Sequence, residues 1–516
     1  MNLALSPFEI ISRIIFCIHI ACIIFVLFFE HRDATKRFVW LILLSFLPGV
    51  GIIFYFLFSG NFFTANKRLR EVSKYSDSLI KPLLEEQKKY LEQNADIFPN
   101  EQIKNNLQLI NMNIDHGSSV LTTTQSARIF TSGKDFFDNL CDELENAEKS
   151  IYMEYFIFHE DKIGKRIMDI LCRKAREGVE VKLIYDDLGS IMTRTRFFKR
   201  LDAAGGKARP FFQIRIGLPL TLNYRNHRKS TIIDNSAAFV GGMNIGDEYA
   251  NQKTRGRHHK LNWRDTTVRL EGNIVFYVKR NFLADWFSLD VGRSRKNSIE
   301  QSAQLFPVDV ARLMTETLDS KSEFFESASF LDNKFIPSQI ITAGPHDTHG
   351  ARIEDSLIRM IMGAQKRVWI QTPYFTPDEQ FCNALKIAAY TGVDVSVMIP
   401  SQWDKIYMKA ASYNFARRMM DAGIKFYLYP GFIHSKTICV DGKICSIGTT
   451  NIDNRSFALH YEQNVIFYDR NFTETCENIF LSDMSVCRRA STAFFDKVNF
   501  LVRGARSFCA LFAPLM

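Results

Sequence analysis

Hydrophobic positions fall into three patterns along this chain. Unbroken apolar runs come first, a polar stretch with helically spaced apolar residues follows, and apolar runs then alternate with helix-like segments to the end. Residues 10–29 form the first run, interrupted only by Arg13 and His19, and residues 38–58 form a second run with no charge. Each has about the 20 residues needed to cross a hydrocarbon core. Arg13 lies near one end of its run, where its side chain can snorkel to the interface. Pro48, Gly49 and Gly51 interrupt the second run, and such residues are tolerated in membrane spans. With the short polar segment EHRDATKR between them, the runs predict an α-helical transmembrane hairpin over residues 1–60. A cleaved signal peptide fits less well: no basic segment precedes the apolar core, no A-x-A-like cleavage site follows, and a second run comes directly after.

Residues 61–115 are rich in Lys and Glu, and Leu79, Ile80, Leu83, Leu84 and Leu91 recur at roughly helical spacing, so a helical spacer is expected there. Beyond it the chain repeats itself. A helix-like segment at 136–148 leads to an apolar strand from Ser150, then a helix over 163–176 and a strand from Gly178. The same order returns as a helix over 353–364, a strand from Arg367, a helix over 378–390 and a strand from Gly392. The two Gly-Val strand starts lie 214 positions apart. Continuous apolar strands alternating with helices predict an α/β fold with a largely parallel sheet covered on both faces. Two such repeats, over 116–330 and 331–516, are expected to pack as a pseudo-dimer.

Composition narrows the partners. Sixty-five Lys and Arg against 56 Asp and Glu leave a net charge of +9, which favours anionic partners: phospholipid headgroups, nucleic acid or phosphorylated metabolites. The ten cysteines are scattered singly with no C-x-x-C pair, which argues against a zinc site or disulfide framework and places the main body in a reducing compartment. The basic residues near the two apolar runs nearly cancel under the positive-inside rule, so the thiols are what favour a cytoplasm-facing body.

Each half carries one copy of H-x-K-x-x-x-x-D. The first is His227, Lys229 and Asp234, followed by Gly241-Gly242-Met243-Asn244; the second is His434, Lys436 and Asp441, followed by Gly448-Thr449-Thr450-Asn451. The histidines lie 207 positions apart, close to the strand offset, and in both copies Asn follows Asp by ten. One H-x-K is noise; two in register inside a duplication are not. His and Lys at i and i+2 of a strand point to the same face and enter one pocket. The aspartate ends the strand at a turn with Asn235 or Gly442, and the next turn can bring Asn244 or Asn451 and backbone N–H groups to an anionic oxygen.

Two imidazoles and two ammonium groups around one anion suit phosphodiester chemistry without a metal or cofactor. One histidine attacks phosphorus, the other protonates the leaving alkoxide, and the lysines neutralise the non-bridging oxygens. A metal site would need carboxylates arranged as ligands beside the histidines, where the motifs supply lysines. Glu462 and Asp265 are candidates to orient the imidazoles; a structural ion pair is the alternative for each.

These paired motifs resemble the phospholipase D superfamily and, more narrowly, its bacterial cardiolipin synthases. The resemblance runs over nearly the whole chain. It includes FLPGVGIIFYFLFSG in the second apolar run, Tyr185-Asp-Asp-Leu-Gly-Ser190, Asn223-Tyr-Arg-Asn-His227 and Gly242-Met-Asn-Ile-Gly-Asp-Glu-Tyr249. It continues through Trp263-Arg-Asp265, Gln371-Thr-Pro-Tyr-Phe375, Tyr429-Pro-Gly-Phe-Ile-His434 and Asn451-Ile-Asp-Asn-Arg-Ser-Phe457. It implies two phospholipase D-like α/β repeats and a membrane-bound phosphatidyltransferase that joins two phosphatidylglycerols into cardiolipin, releasing glycerol through a phosphohistidine. It assigns the catalytic roles to His227, Lys229, Asp234, His434, Lys436 and Asp441. Family precedent favours the first histidine as nucleophile, on which spacing has no vote. His460 departs from the pattern, standing where the family usually has Asn.

The resemblance also implies a multi-pass cell-membrane location, with phosphatidylglycerol in the bilayer as partner. A hydrolase of the same chemistry, either a phospholipase D or a membrane-tethered nuclease, is the alternative. Nucleic acid is not expected, because no basic stripe interleaved with aromatics is present. The tail from residue 498 mixes Arg503 and Arg506 with Phe500, Leu501, Phe508, Leu511 and Phe512. It reads either as an interfacial amphipathic helix or as a helix packed on the body.

Overall fold

A computed structural model describes residues 6–29, 34–47, 49–58, 65–94, 100–213, 224–252, 262–289, 335–345 and 352–513. The expected boundaries at 60/61 and 330/331, together with Pro48 and Asn223, lie outside these residues.

The body is built on a 16-stranded mixed sheet that runs through both repeats. In the first repeat, strands Ser150–Tyr155, Glu180–Asp186 and Lys207–Phe211 are parallel; in the second, Arg367–Gln371, Asp394–Pro400 and Lys425–Tyr429 are parallel in the same way. Apart from the short pairing of Arg225–Asn226 with His460–Tyr461, the remaining pairings of the sheet are antiparallel, which corrects the expectation of a largely parallel one. The cause is local. The motif strands Lys229–Ile233 and Thr437–Val440 each end in a tight turn and return at once as Ala237–Gly241 and Ile444–Gly448. Asp234 and Asn235 have φ of 51° and 59°, Asp441 and Gly442 have 57° and 67°, and a backbone hydrogen bond closes each turn. Paired positive φ values match the right-handed twist of a hairpin, and Asn, Asp and Gly tolerate them best.

The repeats meet at an antiparallel pair, Thr122–Thr124 against Ile336–Ser338, flanked on one side by Thr267–Gly272 and on the other by His460–Phe467. Strand order is thus mirrored about this pair. Helices Gly133–Glu145, Lys162–Arg176 and Thr195–Ala203 pack on one face of the first repeat's strands, where Ile151, Met153 and Tyr155 point. Alternate residues such as Tyr152 face helix Ile274–Ser288 and the larger core shared with the second repeat.

Helix Ala65–Gln93, expected as a spacer, is part of the body. Leu69, Ile80, Leu83, Leu84 and Leu91 are buried in that larger core, and Gln87 exchanges hydrogen bonds with the backbone of Leu121.

The N-terminal runs behave differently from each other. Helix α1, Pro7–Phe28, begins with a Ser6/Glu9 capping box and contains a stretch, Glu9–Phe28, long and apolar enough to cross a membrane. The second run is not one span. It forms α2, Ala34–Phe46, and α3, Val50–Phe58, of 13 and 9 residues. At about 1.5 Å per residue neither reaches the roughly 30 Å of a hydrocarbon core. The two fold back on each other: Trp40 meets Tyr55 edge to face at 5.3 Å, and a Cβ at Gly51 would stand 2.8 Å from the Leu43 carbonyl. Of the expected two-span hairpin, the described residues show the first long apolar helix; the second run forms a folded-back pair that turns where Gly49 takes a φ of 81°.

Candidate active site

The ends of the parallel strands and the starts of the motif strands lie at one edge of the sheet, and the two histidines come together there. Each is held by the other repeat. Arg225–Asn226 pairs in parallel with His460–Tyr461, and the His227 N–H donates to the Tyr461 carbonyl at 2.9 Å. Reciprocally, Phe432–Ile433 pairs with Trp263–Arg264, and the His434 N–H donates to the Arg264 carbonyl at 2.7 Å. The residue after each pairing segment is an acid. His227 Nδ1 donates to Glu462 at 2.9 and 3.1 Å to its two oxygens, and His434 Nδ1 donates to Asp265 Oδ2 at 2.6 Å. A carboxylate at Nδ1 fixes the tautomer and leaves Nε2 as the reacting nitrogen. The pocket is composite: each imidazole takes its acid from the other half.

Lys229 and Lys436 are buried beside the histidines and donate to the His227 and His434 carbonyls. Burial holds the Lys229 ammonium down to about 7 and that of Lys436 to about 8. Burial, reinforced by the lysines, lowers His227 well below the usual imidazole range and His434 to about 4, while burial pushes the Glu462 carboxyl up to about 8. All these shifts disfavour charge in a desolvated site. A phosphodiester anion among these groups would restore the ammonium forms, so the cluster is arranged for a negative ligand.

The remaining expected residues divide. Asn244 sits at the pocket edge but is committed: its Oδ1 accepts from the Ile157 N–H and its Nδ2 donates to Tyr249 Oη. Asn451 is buried, and its Oδ1 has no partner among the described residues. Asp234 and Asp441, expected among the catalytic residues, are not brought to the pocket. Five residues of strand place each about 16 Å from its lysine. There Asp234 accepts three backbone N–H groups, from Glu148, Lys149 and Ser150, each at 2.7 Å. Asp441 accepts the same three from Gln365, Lys366 and Arg367 at 2.8 Å. Both carboxylates anchor the hairpin turn to the start of the adjacent strand.

The sequence reading missed the support behind the dyads. Arg228, between His227 and Lys229, donates to buried Asp285, whereas Arg264 pairs with Asp483 at 2.6 Å. Thr449 donates to Glu462, and Thr266 Oγ1 lies 2.7 Å from Ser435 Oγ. The two aspartates were legible in principle, since FLAD at 282–285 and FLSD at 480–483 recur in the helices that close each repeat. His460 lies against His227, ring centroids 5.3 Å apart, with Nδ1 3.6 Å from Glu462 Oε1. His227, His460 and Glu462 bring donor atoms within 4.8 Å of one another and are the pocket residues that could hold a cation, although Lys229 stands among them.

Comparison with known proteins agrees with this geometry. Residues 140–255 and 357–484 match the family described as cardiolipin synthase, PLD-like domain, and residues 17–60 match the phospholipase D-nuclease N-terminal family. The chain is 34% identical to a cardiolipin synthase of Listeria monocytogenes over 95% of both chains. It is also 34% identical to the major cardiolipin synthase of Bacillus subtilis, over 99% of this chain and all of that one. Among solved structures, a phosphatidylserine synthase of Haemophilus influenzae shares the fold, with a TM-score of 0.56 at 14% identity over 80% of this chain and 97% of its own.

Proposed function

The chain belongs to the phospholipase D-type cardiolipin synthases, and from that premise we propose how its pocket makes cardiolipin from two phosphatidylglycerols. The reaction runs through a phosphatidyl-histidine. Nε2 of one catalytic histidine attacks the phosphorus of the first lipid. As the P–N bond forms, the ester bond to the headgroup glycerol breaks, and the second imidazole gives that glycerol its proton. The now neutral second histidine then takes the proton from the terminal hydroxyl of another phosphatidylglycerol. The freed oxygen attacks phosphorus, the P–N bond breaks, and cardiolipin leaves. Lys229 and Lys436 balance charge on the non-bridging oxygens throughout.

The reciprocal gift of Glu462 to His227 and of Asp265 to His434 carries this reading. Two steps on one phosphorus need two imidazoles of fixed tautomer, and this arrangement supplies them. The apolar Glu9–Phe28 helix supports a membrane anchor, and the ten free thiols support a cytoplasm-facing body. Incubating purified protein with phosphatidylglycerol labelled in both headgroup and acyl chains tests the proposal. Labelled cardiolipin and free glycerol are expected; phosphatidic acid as the main product would replace the transferase reading with a hydrolase one.

A further inference from the structure

The second repeat carries a groove of 650 Å³ between helix Ile406–Met420, the 488–498 segment and the C-terminal helix Phe500–Leu511. Four cations line it, Lys409, Arg488, Lys497 and Arg506, and no carboxylate does. Tyr413 and Phe494 form part of its apolar lining. Two of the cations are held in place by these rings: Arg488 lies over Phe494 at 4.5 Å and Arg506 over Tyr413 at 5.3 Å. Asp496, the nearby acid, is taken by Arg417 Nε at 2.8 and 2.9 Å.

The groove opens on the catalytic side. Ser401, in its lining, follows strand Asp394–Pro400 at the end where Lys436 precedes Thr437, the residue opposite Gln371. Around it the surface is apolar: Ile406 and Phe500 are each 80% exposed and Leu501 is 67% exposed. The C-terminal helix thus packs on the body by one face and bares apolar residues on another.

We propose that the groove binds the phosphate of an anionic phospholipid outside the catalytic pocket, seating the second repeat against the bilayer. Cations with an apolar floor match a phosphate joined to acyl chains, and the exposed Ile406, Phe500 and Leu501 are placed to enter the interface. A volume of this size accommodates a lipid headgroup and its glycerol backbone. The choice of occupant rests on the lipid-substrate reading above; the charge and shape of the groove do not.

The test uses full-length protein in neutral detergent and the double variant K409E/K497E, which changes two exposed lysines outside the catalytic pocket. With phosphatidylglycerol diluted into mixed micelles, the apparent KM in mole fraction should rise at least about tenfold with kcat unchanged. Turnover of monodisperse short-chain phosphatidylglycerol should be unaffected, and K409Q/K497Q should show a smaller rise. An unchanged micellar KM overturns the proposal, as does an equal loss on monodisperse substrate. Native mass spectrometry should show the wild-type chain retaining a phosphatidylglycerol, in preference to phosphatidylcholine, in addition to the one its catalytic pocket holds, and the double variant losing that additional molecule. This readout stands even if the product is not cardiolipin, so the two readings fail separately. Thermal stabilisation by inorganic phosphate that the variant loses, with micellar KM unchanged, would make the groove a free-anion site and remove the lipid from it.

Discussion

The two histidine–acid dyads perform matching tasks in unlike surroundings. His227 meets both oxygens of a glutamate, beside Phe156 and a third imidazole at His460. His434 meets one oxygen of a shorter aspartate, whose other oxygen accepts the Thr266 N–H, and lies among Tyr249, Trp263 and Phe432. Behind each dyad an Asp on the closing helix, buried at Asp285 and half-buried at Asp483, pairs with a guanidinium. In the first site Arg228 supplies it from the histidine strand, and in the second Arg264 supplies it from the acid strand. Duplication has preserved a charge behind each site while moving the residue that provides it. Spatial chemistry is the invariant here, and sequence position follows more loosely.

Removing either imidazole should break the equivalence most sharply. His227→Ala and His434→Ala should each cost at least about 10⁴ in kcat with phosphatidylglycerol. A lipid with an activated leaving group, such as a nitrophenyl ester, then tells the two apart. The variant that lacks only the acid should form a labelled phosphatidyl-enzyme on rapid quenching, and the variant that lacks the nucleophile should form none. Near-normal turnover by either would remove the two-histidine mechanism.

Lys229→Ala and Lys436→Ala come next, each losing roughly 10²–10³ in rate. Their pH behaviour sharpens the comparison. Burial depresses both ammonium groups in the folded pocket, so charge is complete below, and lost as pH rises through, about 7 for Lys229 and about 8 for Lys436. The kcat/KM profile should fall across that window, while kcat, measured with the anion bound, should hold to higher pH. An alkaline limb identical in both parameters would contradict this.

The carboxylates should matter less. Glu462→Gln and Asp265→Asn remove the charge from a buried hydrogen bond and should cost about 10- to 100-fold in kcat. The glutamate variant should be the milder if Thr449 still holds its side chain. The smallest catalytic effect is expected at the hairpin turns. Asp234→Ala and Asp441→Ala leave three backbone N–H groups without acceptors, so each should lower stability by about 2–3 kcal/mol in denaturant unfolding. Activity per folded molecule should remain near normal; a large loss there would return these aspartates to the reaction.

The duplication and the two H-x-K pairs were legible because each leaves a local pattern with a fixed offset; Glu462 and Asp265, 28 and 38 positions after the motif histidine of their own half, were candidates without one. Which acid serves which histidine was not legible. That depends on residues 225–226 meeting 460–461, and 263–264 meeting 432–433, contacts with no trace in local spacing. The place of Asp234 and Asp441 was not legible, because a fixed interval from Lys serves turn geometry as well as it would serve catalysis. The division of the second apolar run was hidden for a similar reason: hydropathy reports what a segment dissolves in and says nothing of where it turns. Gly49 and Gly51 carried that information, one as a turn residue and one as a site of close approach to Leu43.

The single sheet joining both repeats has a consequence for how this enzyme can change. Two identical subunits around a two-fold axis must accept every mutation twice, once in each copy of the site. Fusing them through the pair at Thr122–Thr124 and Ile336–Ser338 removes that constraint. One histidine can gain a neighbour such as His460 while the equivalent place in the other half keeps Trp263. A reaction with a donor step and an acceptor step asks different things of its two bases. A covalent dimer can answer them separately, and the unlike walls around His227 and His434 are what such independence leaves behind.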